Sequence, residues 1–183
     1  MKVAAALASG LALAAVTDTA RADQPTFGQY DIATVFFISK SDDHNRVDYG
    51  IRLNAQCAPV NDDAVFPYWR VFEHSDGRHT LPLGMFEYVP YGFAEQRMLR
   101  RTPTGGDHLV RLKQLADRII LITTKKEADG HCSAVAHARI SGIDRAELVS
   151  VYAKLAGAMS VDYVDIHGKN PTTGGEILER IRR

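Results

Sequence analysis

The chain has 183 residues with 22 basic and 22 acidic side chains, so its formal net charge is zero. A nucleic-acid binder normally carries a basic excess or stripe. Here only Arg97, Arg100 and Arg101 and the tail Arg180, Arg182 and Arg183 cluster, and solvated surface charge accounts for both groups. No nucleic-acid partner is therefore expected.

Lys2 precedes an apolar run from Val3 to Val16, and the chain then turns polar towards Ala20-Arg21-Ala22. A positive start, a short apolar stretch and small residues at the cut are the order of a signal peptide, with cleavage between Ala22 and Asp23. The apolar run is too short for a bilayer, which needs roughly 20 such residues. No later segment qualifies, so no transmembrane segment is expected after signal removal and the location expected is periplasmic or secreted. Cleavage leaves about 160 residues, the size of one domain. There are two cysteines, Cys57 and Cys132. In an exported chain an even count predicts a disulfide between them.

Residues 23–31 read as an extended lead-in to a single β-rich domain over 32–183. Ile32 to Ser39 is β-branched and aromatic and reads as a buried strand. After a turn at Ser41–Asn45, Arg46 to Asn54 alternates, with Val47, Tyr49, Ile51 and Leu53 on one face. Val65 to Glu73 is the next strand, and Pro67 belongs at a strand start or an edge because it lacks a backbone donor. Arg78 to Leu83 can return from the turn before it. Met85 to Arg101 is open between a short helix with Pro90 in its first turn and broken strand. Leu109, Val110, Leu112 and Leu115 begin another apolar segment. Arg118 to Thr124 and His131 to Ile140 then form a strand pair. Arg145 to Ala156 fits a helical stripe (Leu148, Val151, Tyr152, Leu155) or a strand face (Val149, Val151, Ala153, Leu155). Val161 to His167 and Gly175 to Ile181 flank a Gly/Asn/Pro/Thr loop as a terminal hairpin, although residues 176–183 alone also fit a helix. Short strands at about ten-residue spacing predict an all-β domain, or mainly β with one short helix, as an antiparallel barrel or sandwich.

Several segments carry a family pattern. They are Phe36-Phe37-Ile38-Ser39-Lys40-Ser41, His44-Asn45-Arg46-Val47-Asp48-Tyr49, Pro67-Tyr68-Trp69-Arg70 and Tyr91-Gly92-Phe93, with Val161-Asp162-Tyr163, Ile166-His167-Gly168, Thr173-Gly174 and Glu179 near the end. Together they resemble the exported bacterial proteins grouped as domain of unknown function 4833, from about Ala33 to Ile181. The resemblance implies a compact β-rich envelope domain and favours strand for Arg145 to Ala156. It brings no activity and no catalytic residues.

The residues themselves point to no catalytic centre. No G-x-S-x-G is present, and bridged cysteines cannot supply a thiolate. The seven histidines form neither H-x-x-x-H nor H-E-x-x-H. His74 and His79 with Asp76 are the best local cluster, which a solvated hairpin tip explains. Asp42-Asp43 and Asp62-Asp63 are explained by turn chemistry. No catalytic residue, metal ligand or cofactor is assigned. The aromatic segments are the more informative feature. Tyr68 and Trp69 fall on opposite strand faces, and an outward ring beside Asn45, Arg70 or Glu73 would stack on a sugar or close an apolar pocket. The candidate ligand contacts are Asn45, Tyr49, Tyr68, Trp69, Arg70, Tyr88 and Tyr91. The expected function is non-enzymatic binding of a small, partly apolar ligand or of an envelope protein. The alternative is an envelope hydrolase built on Asp43, His44, Asn45 and Arg70, acting on cell-wall or lipid material.

Overall fold

The computed structural model describes residues 31–72, 79–156 and 160–182. The expected signal peptide, most of the lead-in, and His74 with Asp76 lie outside the described residues. The strands are β1 (Asp31–Lys40), β2 (Arg46–Leu53), β3 (Val65–Val71), β4 (His79–Pro82), β5 (Phe93–Thr102), β6 (Gly105–Leu112), β7 (Ile120–Lys126), β8 (Cys132–Ile140), β9 (Ile143–Leu155), β10 (Val161–Lys169) and β11 (Glu176–Arg182). A 3-10 turn at Met85–Glu87 runs into the single helical turn α1 (Tyr88–Tyr91), and a second 3-10 turn follows β6 at Lys113–Leu115. The domain is mainly β with one short helix, and both ambiguous segments near its end are strands. Met85 to Arg101 is a mixture, helical to Tyr91 and strand from Phe93.

The strand order is β4-β3-β2-β1-β9-β8-β7-β6-β5, with β10 on β9 and β11 on β10. The long strand β9 organises this. One edge pairs with β8 through Ile143 to Glu147, then with β1 through Ser150 to Ala153, while the opposite edge carries β10 from Glu147 to Leu155. The β1–β9 pairing is parallel and the other ladders are antiparallel. The expected antiparallel sheet is thus mixed, and it is not closed into a barrel. The cause is that β1 and β8 share one edge of β9, so two four-strand wings leave it end to end. Their inner faces contribute to one apolar core, with Tyr49 and Ile51 of β2 in the same cluster as Val110 of β6 and Ile122 of β7.

Local chemistry places the turns. Ser141 and Gly142, between β8 and β9, have φ of 50° and 79°, the paired left-handed geometry of a two-residue hairpin loop. Several links hold the wings together. Cys57, after β2, is bridged to Cys132 at the start of β8, with Cα atoms 5.2 Å apart, as the cysteine count predicts. The Tyr49 hydroxyl donates to the Tyr91 carbonyl at 2.8 Å. Arg101 of β5 donates to the carbonyls of Pro59 and Val60, at 3.0 and 2.9 Å.

Candidate functional site

Because β8 leaves β9 at Glu147, the inner face of the C-terminal half of β9 loses its sheet neighbour on that edge to β1. Above this region the structure supplies α1 and the second 3-10 turn rather than another strand. Between them lies a cavity of about 470 Å³. Its floor is Ile38 and Lys40 of β1, Val151, Ala153 and Leu155 of β9, and Val161 and Val164 of β10; its roof is Pro90, Tyr91, Gln114 and Leu115. The volume falls within the usual small-molecule range of roughly 300–1,000 Å³.

The walls are mostly apolar, and their polar side chains are Lys40, Gln114 and Tyr91. The Lys40 ammonium pairs with the Asp43 carboxylate at 3.3 Å and lies 6.0 Å from the centre of the Trp69 ring. Trp69 meets Tyr91 edge to face, with ring centres 5.7 Å apart. Burial pushes the Tyr91 hydroxyl above its ordinary pKa, and the Asp43 and Glu87 carboxylates push the same way. At neutral pH it is a protonated donor. The arrangement therefore offers an apolar container with a cation, a hydroxyl and two rings near one end.

A second cluster occupies the opposite face of β1–β3. Asp48 is fully buried and accepts from Arg46 Nε at 2.7 Å and from Arg70 Nε at 2.5 Å. Arg70 also donates to the Tyr68 hydroxyl at 3.3 Å, which is hydrogen-bonded to Thr34 at 2.8 Å. The Arg46 guanidinium stacks 4.1 Å from the centre of the Phe37 ring. Burial pulls the Arg70 pKa down, but the hydrogen bond and charge of Asp48 outweigh it, so the net direction is up. Burial raises Tyr68. These groups satisfy one another across adjacent strands.

The sequence candidates therefore divide. Tyr91 lines the cavity and Trp69 stands beside its mouth on the core side of β3. Tyr68 faces the other way, as alternation requires, yet is only 1 % exposed. Tyr49 is a core residue, stacked on Phe36 at 4.5 Å. Arg70 belongs to the Asp48 cluster, and Asn45 accepts from the Phe72 amide at 2.9 Å. Tyr88 is half-exposed next to the cavity roof. The hydrolase set is engaged piecemeal: Asp43 with Lys40 and the Asn45 amide, Arg70 with Asp48, while His44 is exposed. Among the described residues no cluster of His, Cys, Asp or Glu is placed to hold a metal ion, and no helix is long and apolar enough to cross a membrane.

Sequence reasoning missed Lys40 and Asp48. For Lys40 a signal existed. The inward series Phe36, Ile38, Lys40 of β1 ends on a lysine, which marks where the core gives way to something that tolerates charge. Asp48 gave none, because outward carboxylates on half-buried strands are ordinary.

Residues 36–180 match the family model described as Domain of unknown function (DUF4833). No curated protein and no solved structure matches the chain. The family match spans more than half of the 183 residues and takes in the strands that build both the cavity and the Asp48 cluster, so this chain belongs to the DUF4833 family.

Proposed function

We propose that this protein is an exported envelope domain that binds one small, partly apolar molecule in the cavity between β1, β9, β10 and α1. The observation that carries the reading is the cavity itself: mostly apolar walls with a lone ammonium, Lys40, at one end. That pattern suits an apolar body with a single anionic or acceptor head. Tyr91 and Gln114 add hydrogen-bonding groups, and Trp69 lies close enough to report occupancy. The other candidate contacts, Asn45, Tyr49, Tyr68 and Arg70, are better explained as frame, and Tyr88 as rim. Export is supported by the charged, apolar and small-residue zones of residues 1–22 and by the Cys57–Cys132 bridge. No observation favours the hydrolase alternative.

The test is intact mass under native and then denaturing conditions, with titration of dodecanoate followed by Trp69 fluorescence. A chain beginning at Asp23, with native mass that vanishes on denaturation or a saturable Trp69 response, supports the reading. Ala153→Phe, which fills the cavity from a half-exposed strand position, should abolish the response. A bare chain in both states with no Trp69 response removes the internal-ligand reading.

A further inference from the structure

The segment between β4 and β5 is anchored to the core by Leu83 and Tyr91, yet the apolar stretch between them stays at the surface. Neither its 3-10 turn nor α1 has a buried residue. Met85 is 84 %, Phe86 87 % and Val89 63 % exposed. Single exposed apolar side chains are ordinary on protein surfaces. Three standing out within five residues of one short convex turn call for a partner.

We propose that Met85, Phe86 and Val89 form a tip that inserts into a lipid surface and brings the cavity mouth to it. Three observations favour lipid over protein. First, the one carboxylate of the turn is held back along the chain, since Glu87 accepts from the Gly84 amide at 2.6 Å instead of standing out beside Met85 and Phe86. Second, the groups are ordered as a membrane interface orders them. The apolar tip is outermost. Tyr88, 44 % exposed, follows with its ring and hydroxyl. Lys113 stands behind it, donating to the Tyr88 carbonyl at 3.3 Å, where an ammonium would meet lipid headgroups. Third, the side chains project from a convex turn. A stable protein interface needs roughly 800 Å² from each partner, which such a turn does not offer, whereas fluid acyl chains close around separate projections.

The position also has a use. Val89 continues directly into Pro90 and Tyr91, which roof the cavity. With the tip inserted, an amphipathic molecule could pass from the lipid surface to the Lys40 end without leaving an apolar path. The inference deepens the ligand reading and rests on it for the cargo, but the surface attachment stands or falls separately.

The experiment is flotation of the full chain with vesicles of phosphatidylcholine and phosphatidylglycerol, comparing wild type with Met85→Ser/Phe86→Ser. Both proteins carry the same amino terminus, so any affinity of that segment cancels. Both substituted side chains are exposed, and equal melting temperatures would verify the fold. Removing two inserted apolar side chains should cut vesicle partitioning by about tenfold or more. Dodecanoate uptake from solution should be unchanged in this variant. Conversely, Ala153→Phe should lose dodecanoate and still float. Equal flotation of wild type and the double variant overturns the proposal. So does absence of wild-type flotation, including the case in which a protein partner binds the tip instead.

Discussion

Breaking the Cys57–Cys132 bridge should lower stability by an amount that the topology sets. The bridge spans 75 positions of chain. For a loop of that length the chain-entropy relation gives about 4.5 kcal/mol at 25 °C. A domain of this size loses roughly 2–4 °C of Tm per kcal/mol, so Cys57→Ser/Cys132→Ser should melt about 9–18 °C lower. The local turn is held independently of the sulfurs. Asn54 Oδ1 accepts from the amides of Gln56 and Ala58, each at 3.0 Å, and Cys57 N donates to the Asn54 carbonyl at 2.8 Å. The native state should therefore change little, and the loss should arise in the unfolded chain. Urea denaturation followed by circular dichroism checks both halves of this account. The variant should show the lower free energy and a steeper denaturant dependence, because its unfolded chain exposes more surface. A loss below about 1 kcal/mol, or an unchanged slope beside a large loss, would refute the reasoning. The expected deficit is a large share of a usual folding free energy of about 5–15 kcal/mol, so the protein should be markedly weaker in a reducing compartment.

Asp48→Asn should cost about 3 kcal/mol, the lower end for breaking a buried ion pair, because the Arg46 side chain keeps 29 % exposure while that of Arg70 keeps only 11 %. Arg46→Met should cost about 1 kcal/mol or less, since its stem can still cover Phe37; chemical denaturation measures both. His108 supplies a pH test. It is fully buried on β6, and among the described residues no side chain pairs with either ring nitrogen. Burial lowers its pKa, partly opposed by the Asp62 and Asp63 carboxylates and by the Asp62 backbone. The unfolded chain therefore binds the proton first as pH falls below about 6.5, and stability drops from there down to the folded pKa by at most about 1.4 kcal/mol per pH unit. His108→Phe should flatten that stretch of the stability profile. The Glu179 carboxylate, held low by the Arg118 hydrogen bond, loses its contribution only below about pH 4.5, so the two windows separate.

Much of the fold was legible where one local period dominates. The alternation of β2 named Val47, Tyr49, Ile51 and Leu53 as an inner face, and all four are core. Pro67 lies in the body of β3, where β4 has already ended opposite Tyr68, so its missing donor interrupts no second ladder. The ambiguity over Arg145 to Ala156 has a physical cause. A bulge between Leu148 and Ser150 inserts one residue, so the inner face runs Ala146, Leu148, Val151, Ala153, Leu155. The step from Leu148 to Val151 has helical spacing although the chain is extended, and it generated the false helical stripe. The cavity was not legible. It depends on where β8 parts from β9, a pairing event that brings Lys40 and Val161 to Pro90 across unrelated stretches of sequence. Of the seven aromatic and polar candidates, the two nearest the cavity, Trp69 and Tyr91, are those whose faces point inward beside its mouth.

The two clusters share strand β1, and this decides how they should respond to mutation. Phe37 faces the Arg46–Asp48–Arg70 network while Ile38 and Lys40 face the cavity. Side chains alternate along a strand, so a one-residue slip of β1 would replace Lys40 by Ser39 or Ser41 at the mouth. The buried network joins β2 to β3 and holds β1 through the Arg46–Phe37 and Tyr68–Thr34 contacts, which opposes such a slip from the face away from the cavity. On this argument Asp48→Asn lowers the melting temperature but, at temperatures where the variant is folded, leaves the midpoint of the Trp69 response to dodecanoate in place. Lys40→Met does the reverse, weakening dodecanoate with little change in melting because Lys40 is a rim residue with a 34 % exposed side chain. A shifted midpoint in fully folded Asp48→Asn would move the functional centre to the outer face and make Asp48 part of the binding site.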